Sequence, residues 1–248
     1  MNPVIAARGL ARQFGGLRAV DNVSLDLARG ELHALIGPNG AGKSTFLNLL
    51  SGEIRPSAGQ VLLNGADVTA WPVWRRARAG IGRSFQRTDV MREMTVADNV
   101  RLAAQARLAR GLALLRPARG AAAIDAAASA ALARVGMAGR AGQRAGALGH
   151  GELRQVEIAM ALATAPAALL LDEPLAGMGP EDVAAHAALL RTLAADHAVL
   201  LVEHDMDVVF AIADRVSVLV DGAILASGPP AQIRASAAVR AAYLGEGA

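Results

Sequence analysis

The residues Gly37-Pro38-Asn39-Gly40-Ala41-Gly42-Lys43-Ser44 fit the pattern G-x-x-x-x-G-K-[ST] at every fixed position, and Thr45 follows. Chemically this is a phosphate cradle. Glycines leave backbone N–H groups free to turn inward around anionic oxygens, because no Cβ blocks the approach. A helix beginning near Lys43 adds the positive end of its dipole. Lys43 would reach the β- and γ-phosphates of a nucleotide, and the Ser44 hydroxyl would bind Mg²⁺. A chance match on an ordinary strand–turn–helix connection is the competing reading. The apolar run before the loop and the helical pattern after it argue against that.

A second group narrows the chemistry. Four apolar residues, Ala168 to Leu171, lead into Asp172-Glu173. A carboxylate at the end of a buried strand is costly to desolvate without a partner. Mg²⁺ is such a partner, held by Asp172 directly or through water. Glu173, one residue on, could orient and polarise an attacking water. The plainer alternative makes Asp172 a loop cap and Glu173 a surface charge. Gln86 ends GIGRSFQ and could contact Mg²⁺ or the water. His204 ends AVLLVEH, where a side-chain N–H could reach a γ-phosphate oxygen, although a strand-end histidine is often structural. Glu203-His204-Asp205 as a metal cluster is disfavoured, because adjacent strand residues point to opposite faces. His33, His150, His186 and His197 show no metal-ligand spacing.

Elements must bring these groups together. VIAARGL, AVDNVSLDL and ELHALIG read as strands, the last entering the glycine loop, and KSTFLNLLSG reads as a helix stopped at Gly52. GQVLLNGADV reads as a hairpin turning at Asn64-Gly65. After Thr88 the composition shifts to Ala, Leu and Arg, and three helices are expected: TVADNVRLAAQARLAR, IDAAASAALARVGM and ELRQVEIAMALATA. AALLLDEP and HAVLLVEHD read as strands buried on both faces. PEDVAAHAALLRTLAAD is a helix between them, RVSVLVDGAILASG a hairpin, and PAQIRASAAVRAAYL one terminal helix. Strand–helix alternation around a glycine loop implies a doubly wound α/β sheet. The chain is expected to be a single domain, with 1–88 and 161–248 as the α/β core and 89–160 as a helical subdomain.

Composition bounds the rest. With 248 residues, 53% of them apolar, a sizeable core can form, and only 3% aromatics make it aliphatic. The formal net charge is +3, with no lysine-rich tail, which argues against nucleic acid as a partner. The arginines of WPVWRRARAG are expected on a solvated face. No cysteine is present, so no disulfide forms, consistent with a reducing compartment. The N-terminus lacks a signal-peptide pattern, and no apolar run approaches the ~20 residues that cross a bilayer. Membrane association is therefore expected through a partner.

Taken in order, Phe14, the glycine loop, Gln86, Leu148-Gly149-His150-Gly151-Glu152, Asp172-Glu173 and His204 resemble the ATP-binding subunit of an ABC transporter, across essentially the whole chain. The resemblance implies a P-loop NTPase core of the ABC type, with a mixed twisted sheet, an N-terminal antiparallel β-subdomain and an inserted α-helical subdomain. It implies that Phe14 stacks on adenine and that residues after Gln86 couple to membrane subunits. It further implies that Leu148–Glu152 bind the γ-phosphate of ATP held by a second subunit, identical or paralogous, in a head-to-tail dimer. FGGLRAVDNVSL, GIGRSFQ with MTVADNV, VEHDMDVV, DEPLAGM and AAYLGE resemble the branched-chain amino-acid importer branch, whose relatives also carry urea and short amides. Two permease subunits, an extracytoplasmic binding protein and a location at the cytoplasmic face of the membrane are implied with it.

This sequence departs from the family pattern at three places. Gly149 stands where a serine hydroxyl usually donates to the γ-phosphate. An uncompensated loss of that bond, ~1.5–3 kcal/mol, would weaken the closed dimer about 10- to 100-fold; backbone N–H groups of Gly149 to Gly151 could compensate. Glu152 replaces glutamine and adds negative charge, which Arg154 is expected to screen. Leu175-Ala176-Gly177-Met178 lacks the aspartate common after Pro174. A nucleotide-regulated module without hydrolysis thus stands as an alternative to a working ATPase. A soluble relative acting on DNA or ribosomes is a third reading, opposed by the single glycine loop and the lack of sustained heptads.

Overall fold

The computed structural model describes residues 2–84, 90–108 and 117–244, without the side chains of 117–121 and 243–244. Two sheets form. The smaller is antiparallel, in the order β2(Leu17–Leu27), β1(Ile5–Phe14), β4(Ala58–Leu63), β5(Ala66–Asp67). The larger has the order β10(Ala223–Gly228), β9(Arg215–Val220), β3(Leu32–Ile36), β8(Ala198–Val202), β7(Ala168–Asp172), β6(Ile81–Arg83). Its strands are parallel except β10, which returns along β9. The Asn64-Gly65 turn joins β4 to β5 with both residues at positive φ, 49° and 82°, the conformation a two-residue hairpin requires.

The period of two along each buried strand divides the core. In β8, Val199 and Leu201 face α5(His150–Ala163) and α6(Pro180–Ala194), within the first apolar cluster. Ala198, Leu200 and Val202 face α1(Lys43–Ser51) and the antiparallel sheet. In β3, Ala34 and Ile36 turn instead toward α7(Met206–Ile212), α8(Pro230–Ala235) and α9(Ala237–Leu244). Each strand is thus covered on both faces, which explains its unbroken apolar sequence.

The helices α3(Val96–Leu108), α4(Pro117–Arg134) and α5 pack on one another through Val100, Ala104, Ala131, Leu132 and Val156. Helix α4 is described from Pro117, seven residues before the apolar pattern that announces it. Helix α5 continues to Ala163, so we place the end of the helical unit at the turn of Thr164 and Ala165 rather than at 160. The expected single C-terminal helix is two. Ser236 has extended ψ, 120°, and its hydroxyl accepts from the Val239 N–H, so it starts α9 as a cap.

In the arginine-rich stretch Arg75 and Arg78 are exposed as expected, and Arg76 corrects the expectation. The stretch forms α2(Val73–Ala79), and Arg76 is only 1% exposed. Its guanidinium donates to Leu49 O at 2.7 Å, Leu50 O at 2.8 Å, Thr69 O at 2.8 Å and Trp71 O at 3.2 Å. Leu49 and Leu50 lie in the last turn of α1, whose carbonyls have no partner within the helix, and a cation there meets the negative end of the dipole. Burial lowers the Arg76 pKa, and Asp67 opposes this. Gly52, at φ 87°, has no room for a side chain, since a Cβ would lie 2.8 Å from Arg76 Nε. Arg76→Met keeps the volume but strands four carbonyls. Each buried unsatisfied group costs ~1–3 kcal/mol, so urea unfolding is expected to show a loss of about 3 kcal/mol or more.

Candidate functional site

The parallel strands β3, β6, β7 and β8 end on the same edge of the sheet, where ligands bind in open α/β folds. Residues 37–42 connect β3 to α1 there. Gly37, Gly40 and Gly42 have φ of 157°, 81° and 102°. Close approach is the stronger constraint: a Cβ on Gly37 would lie 2.1 Å from Leu219 O, and one on Gly42 would lie 2.1 Å from Ala19 O. The tip of the β9–β10 hairpin clasps the loop as well. Gly222 N–H donates to Ala41 O at 3.0 Å, and Gly222 O accepts from Asp21 N–H at 2.8 Å.

The resulting cleft, about 490 Å³, is lined by Asn39 to Thr45, Phe14, Leu17–Ala19, Glu173, Asp221 and Gly222. Lys43, 8% exposed, donates to Gly37 O at 2.6 Å and Pro38 O at 3.0 Å. An ammonium has three donors, so one remains for the cleft. Burial lowers its pKa, while Glu173 and Asp172 act to raise it. Phe14, on the rim, is 42% exposed, with the Arg12 guanidinium 4.5 Å from its ring centroid. The Arg12 guanidinium engages one ring face, and the ring lines the cleft.

Asp172 ends β7 and is 2% exposed. Burial raises its pKa; Arg83, with a guanidinium nitrogen 4.0 Å from Oδ2, the Ser44 hydroxyl and Lys43 oppose this, and Glu173 adds to the rise. Ser44 Oγ donates to Asp172 Oδ1 at 3.4 Å. An anion disfavoured by burial beside a hydroxyl oxygen is a donor set suited to a small hard cation, so the residues present fit Mg²⁺. Glu173 follows in the left-handed region at φ 49°, which is uncommon for a residue with a side chain and clusters at functional sites. Its N–H donates to Val202 O at 2.9 Å, tying the turn to β8.

Other expected residues fall elsewhere. Strand β8 stops at Val202. Glu203 then turns inward, 1% exposed, accepting from Leu175 N–H at 2.9 Å, and burial raises its pKa. The His204 side chain is 63% exposed and does not line the cleft. Asp205 accepts from the N–H groups of Asp207 and Val208 and so caps α7. These three residues therefore diverge, and among the described residues no group of three or more His, Cys, Asp or Glu could hold a metal ion. Gln86 lies outside the described residues. His33 contacts Ser217 Oγ at 2.8 Å, and burial pushes its pKa down to about 4, with Arg215 adding to the fall; it is neutral at physiological pH. His197 donates to Leu193 O.

Leu148 to Glu152 form the entry to α5, and none of them lines the cleft. Gly149 is the N-cap residue. Glu152 reaches back to accept the Gly149 N–H at 3.0 Å, one half of a capping box. Its other oxygen lies 3.3 Å from Arg140 Nε. This corrects the expected role of Arg154, which is buried and paired with Glu157 at 2.7 Å. Glu152 thus complements the dipole of its own helix. The spacing Gly149-x-x-Glu152 carried that signal in the sequence. Arg18, Asp221 and Gly222 are cleft residues that carried none, because they arrive from two hairpins far apart in the chain.

Comparison with known proteins shows the family. Residues 20–176 match the family model for ABC transporters, and residues 223–248 match that for the branched-chain amino acid ATP-binding cassette transporter. The chain is 41% identical, over 98% of both chains, to the high-affinity branched-chain amino acid transport ATP-binding protein LivG of Salmonella typhimurium. It is 39% identical, again over 98% of both chains, to the protein of the same description, BraF, of Pseudomonas aeruginosa. Among solved structures it is similar to the ADP conformation of MJ1267, an ATP-binding cassette of an ABC transporter, with TM-score 0.86, 28% identity and coverage of 98% of this chain and 99% of that one. The chain belongs to the ABC transporter family, as one of its ATPase cassettes.

Proposed function

We propose that this cassette binds and hydrolyses ATP to drive uptake of branched-chain amino acids, or related small amides and amino acids, through two membrane permeases. The observation that carries the ATPase half is the convergence of Lys43, Ser44, Asp172 and Glu173 at one strand edge. In this reading the N–H groups of the loop from Gly37 to Thr45 hold the phosphates, Lys43 neutralises them, and Phe14 stacks on adenine. Mg²⁺, when bound, neutralises phosphate charge, and Ser44, Asp172 and Gln86 would hold it. Glu173 orients the attacking water and accepts its proton. His204, swinging from its exposed position, reaches the terminal phosphate.

Leu148 to Glu152 meet ATP held by a second cassette, identical or paralogous, in a head-to-tail pair at the cytoplasmic face of the plasma membrane. The helix start at His150 and Gly151 offers N–H donors where Gly149 lacks a hydroxyl. An extracytoplasmic binding protein delivers the solute. No helix among the described residues is long and apolar enough to cross a membrane, which supports attachment through permeases.

The cargo reading rests on the names of the relatives and on the C-terminal match. Deleting the chain from its host is expected to abolish uptake of labelled leucine, with isoleucine and valine competing in the wild type. Retained leucine uptake alongside loss of urea or amide uptake would reassign the cargo and leave the ATPase reading standing.

A further inference from the structure

We propose that His150 is a positioning residue that links the phosphate engaged by the α5 N-terminus to the loop that carries Glu173. The inference rests on the head-to-tail reading above.

Three observations support it. His150 is the first residue of α5, so its backbone N–H belongs to the anion-facing end of that helix. Its ring Nε2–H donates to Ala176 O at 3.1 Å. The loop passes close beside the ring: Gly177 has φ 75°, and a Cβ there would lie 3.2 Å from Nε2. Ala176 in turn donates its N–H to Glu173 O at 3.2 Å, closing the turn. The path from the helix start to the backbone of Glu173 is therefore two hydrogen bonds long.

Both ends of that path are anchored. On one side His186, 3% exposed on α6, places Nε2 3.2 Å from Gly151 O and Nδ1 2.8 Å from Asp182 O. On the other, Leu175 N–H is held by Glu203, and Met178 packs against the core. Between these anchors, Ala176 and Gly177 are the residues that the His150 ring touches. Partner-held ATP at the start of one α5 then sets the turn of Glu173 in the same chain, and the two ATP sites of the pair act together.

The test uses the full chain and Mg·ATP. His150→Ala is expected to lower kcat about 3- to 10-fold, the weight of one hydrogen bond. It should bring the Hill coefficient for ATP toward one, with KM and thermal midpoint unchanged. His150→Gln, whose amide N–H can replace Nε2–H, should restore both kcat and cooperativity. Wild-type kcat and Hill coefficient in His150→Ala overturn the proposal, as does failure of His150→Gln to restore them. Glu173→Gln separates this from the parent reading: if that variant stays monomeric with ATP, the head-to-tail pair itself fails. If it dimerises while His150→Ala behaves as wild type, only the link through His150 is lost.

Discussion

Glu173→Gln is expected to lower ATP turnover at least about 100-fold while ATP still binds, with the protein accumulating as a dimer in Mg·ATP. Glutamine matches glutamate in size, so the turn held by Val202 O and Ala176 N–H is retained. What is lost is a carboxylate able to take a proton from water. Positioned base catalysis contributes ~10²–10⁴ in rate, or about 3–5 kcal/mol of barrier. The charge lost also stood near Asp172 and Lys43, whose titrations both feel it. Its removal should leave phosphate binding intact or tighter. Steady-state phosphate release and sedimentation velocity with Mg·ATP check both halves. Turnover at the wild-type rate would remove Glu173 from its assigned role.

The second large effect falls on binding rather than chemistry. Lys43→Ala is expected to raise the ATP dissociation constant by about 10- to 100-fold or more, because each hydrogen bond to a charged group is worth ~1.5–3 kcal/mol. Two of the three ammonium protons hold Gly37 O and Pro38 O, so the substitution also frees the first residues of the loop. Isothermal calorimetry reads the affinity. A thermal midpoint in the absence of nucleotide shows whether folding is spared. Burial disfavours the ammonium, so relief of that desolvation offsets part of the lost contacts and the apo-protein should not unfold. Wild-type affinity in this variant would count against the whole assignment.

Much of this is legible in the residues because local rules suffice. The glycine loop carries its chemistry in eight consecutive positions, and β7 and β8 are unbroken apolar runs that only a sheet covered on both faces accommodates. The failures concern groups whose placement is set by packing, helix geometry or a local turn rather than by order along the chain. Arg76 reads as a surface charge until α1 is seen to end against it. Arg154 is nearer to Glu152 in sequence, yet helix geometry gives Arg154 to Glu157, three residues along. Arg140, from the turn before α5, is the one that reaches Glu152. The hairpin tip at Asp221-Gly222 is readable as a turn, but its place against Ala41 is not. His204 reads as the end of a strand that in fact stops at Val202, and the inward turn of Glu203 sends the histidine outward instead.

The clasp around residues 37–42 has a mechanical consequence. With Leu219 and Ala19 filling the space where side chains would be, and Gly222 bonded to the loop itself, the receptacle is shaped before any guest arrives. Little chain entropy is spent on moulding it. A rigid receptacle cannot also be the moving part. Movement, where it occurs, would then fall on elements outside residues 37–42.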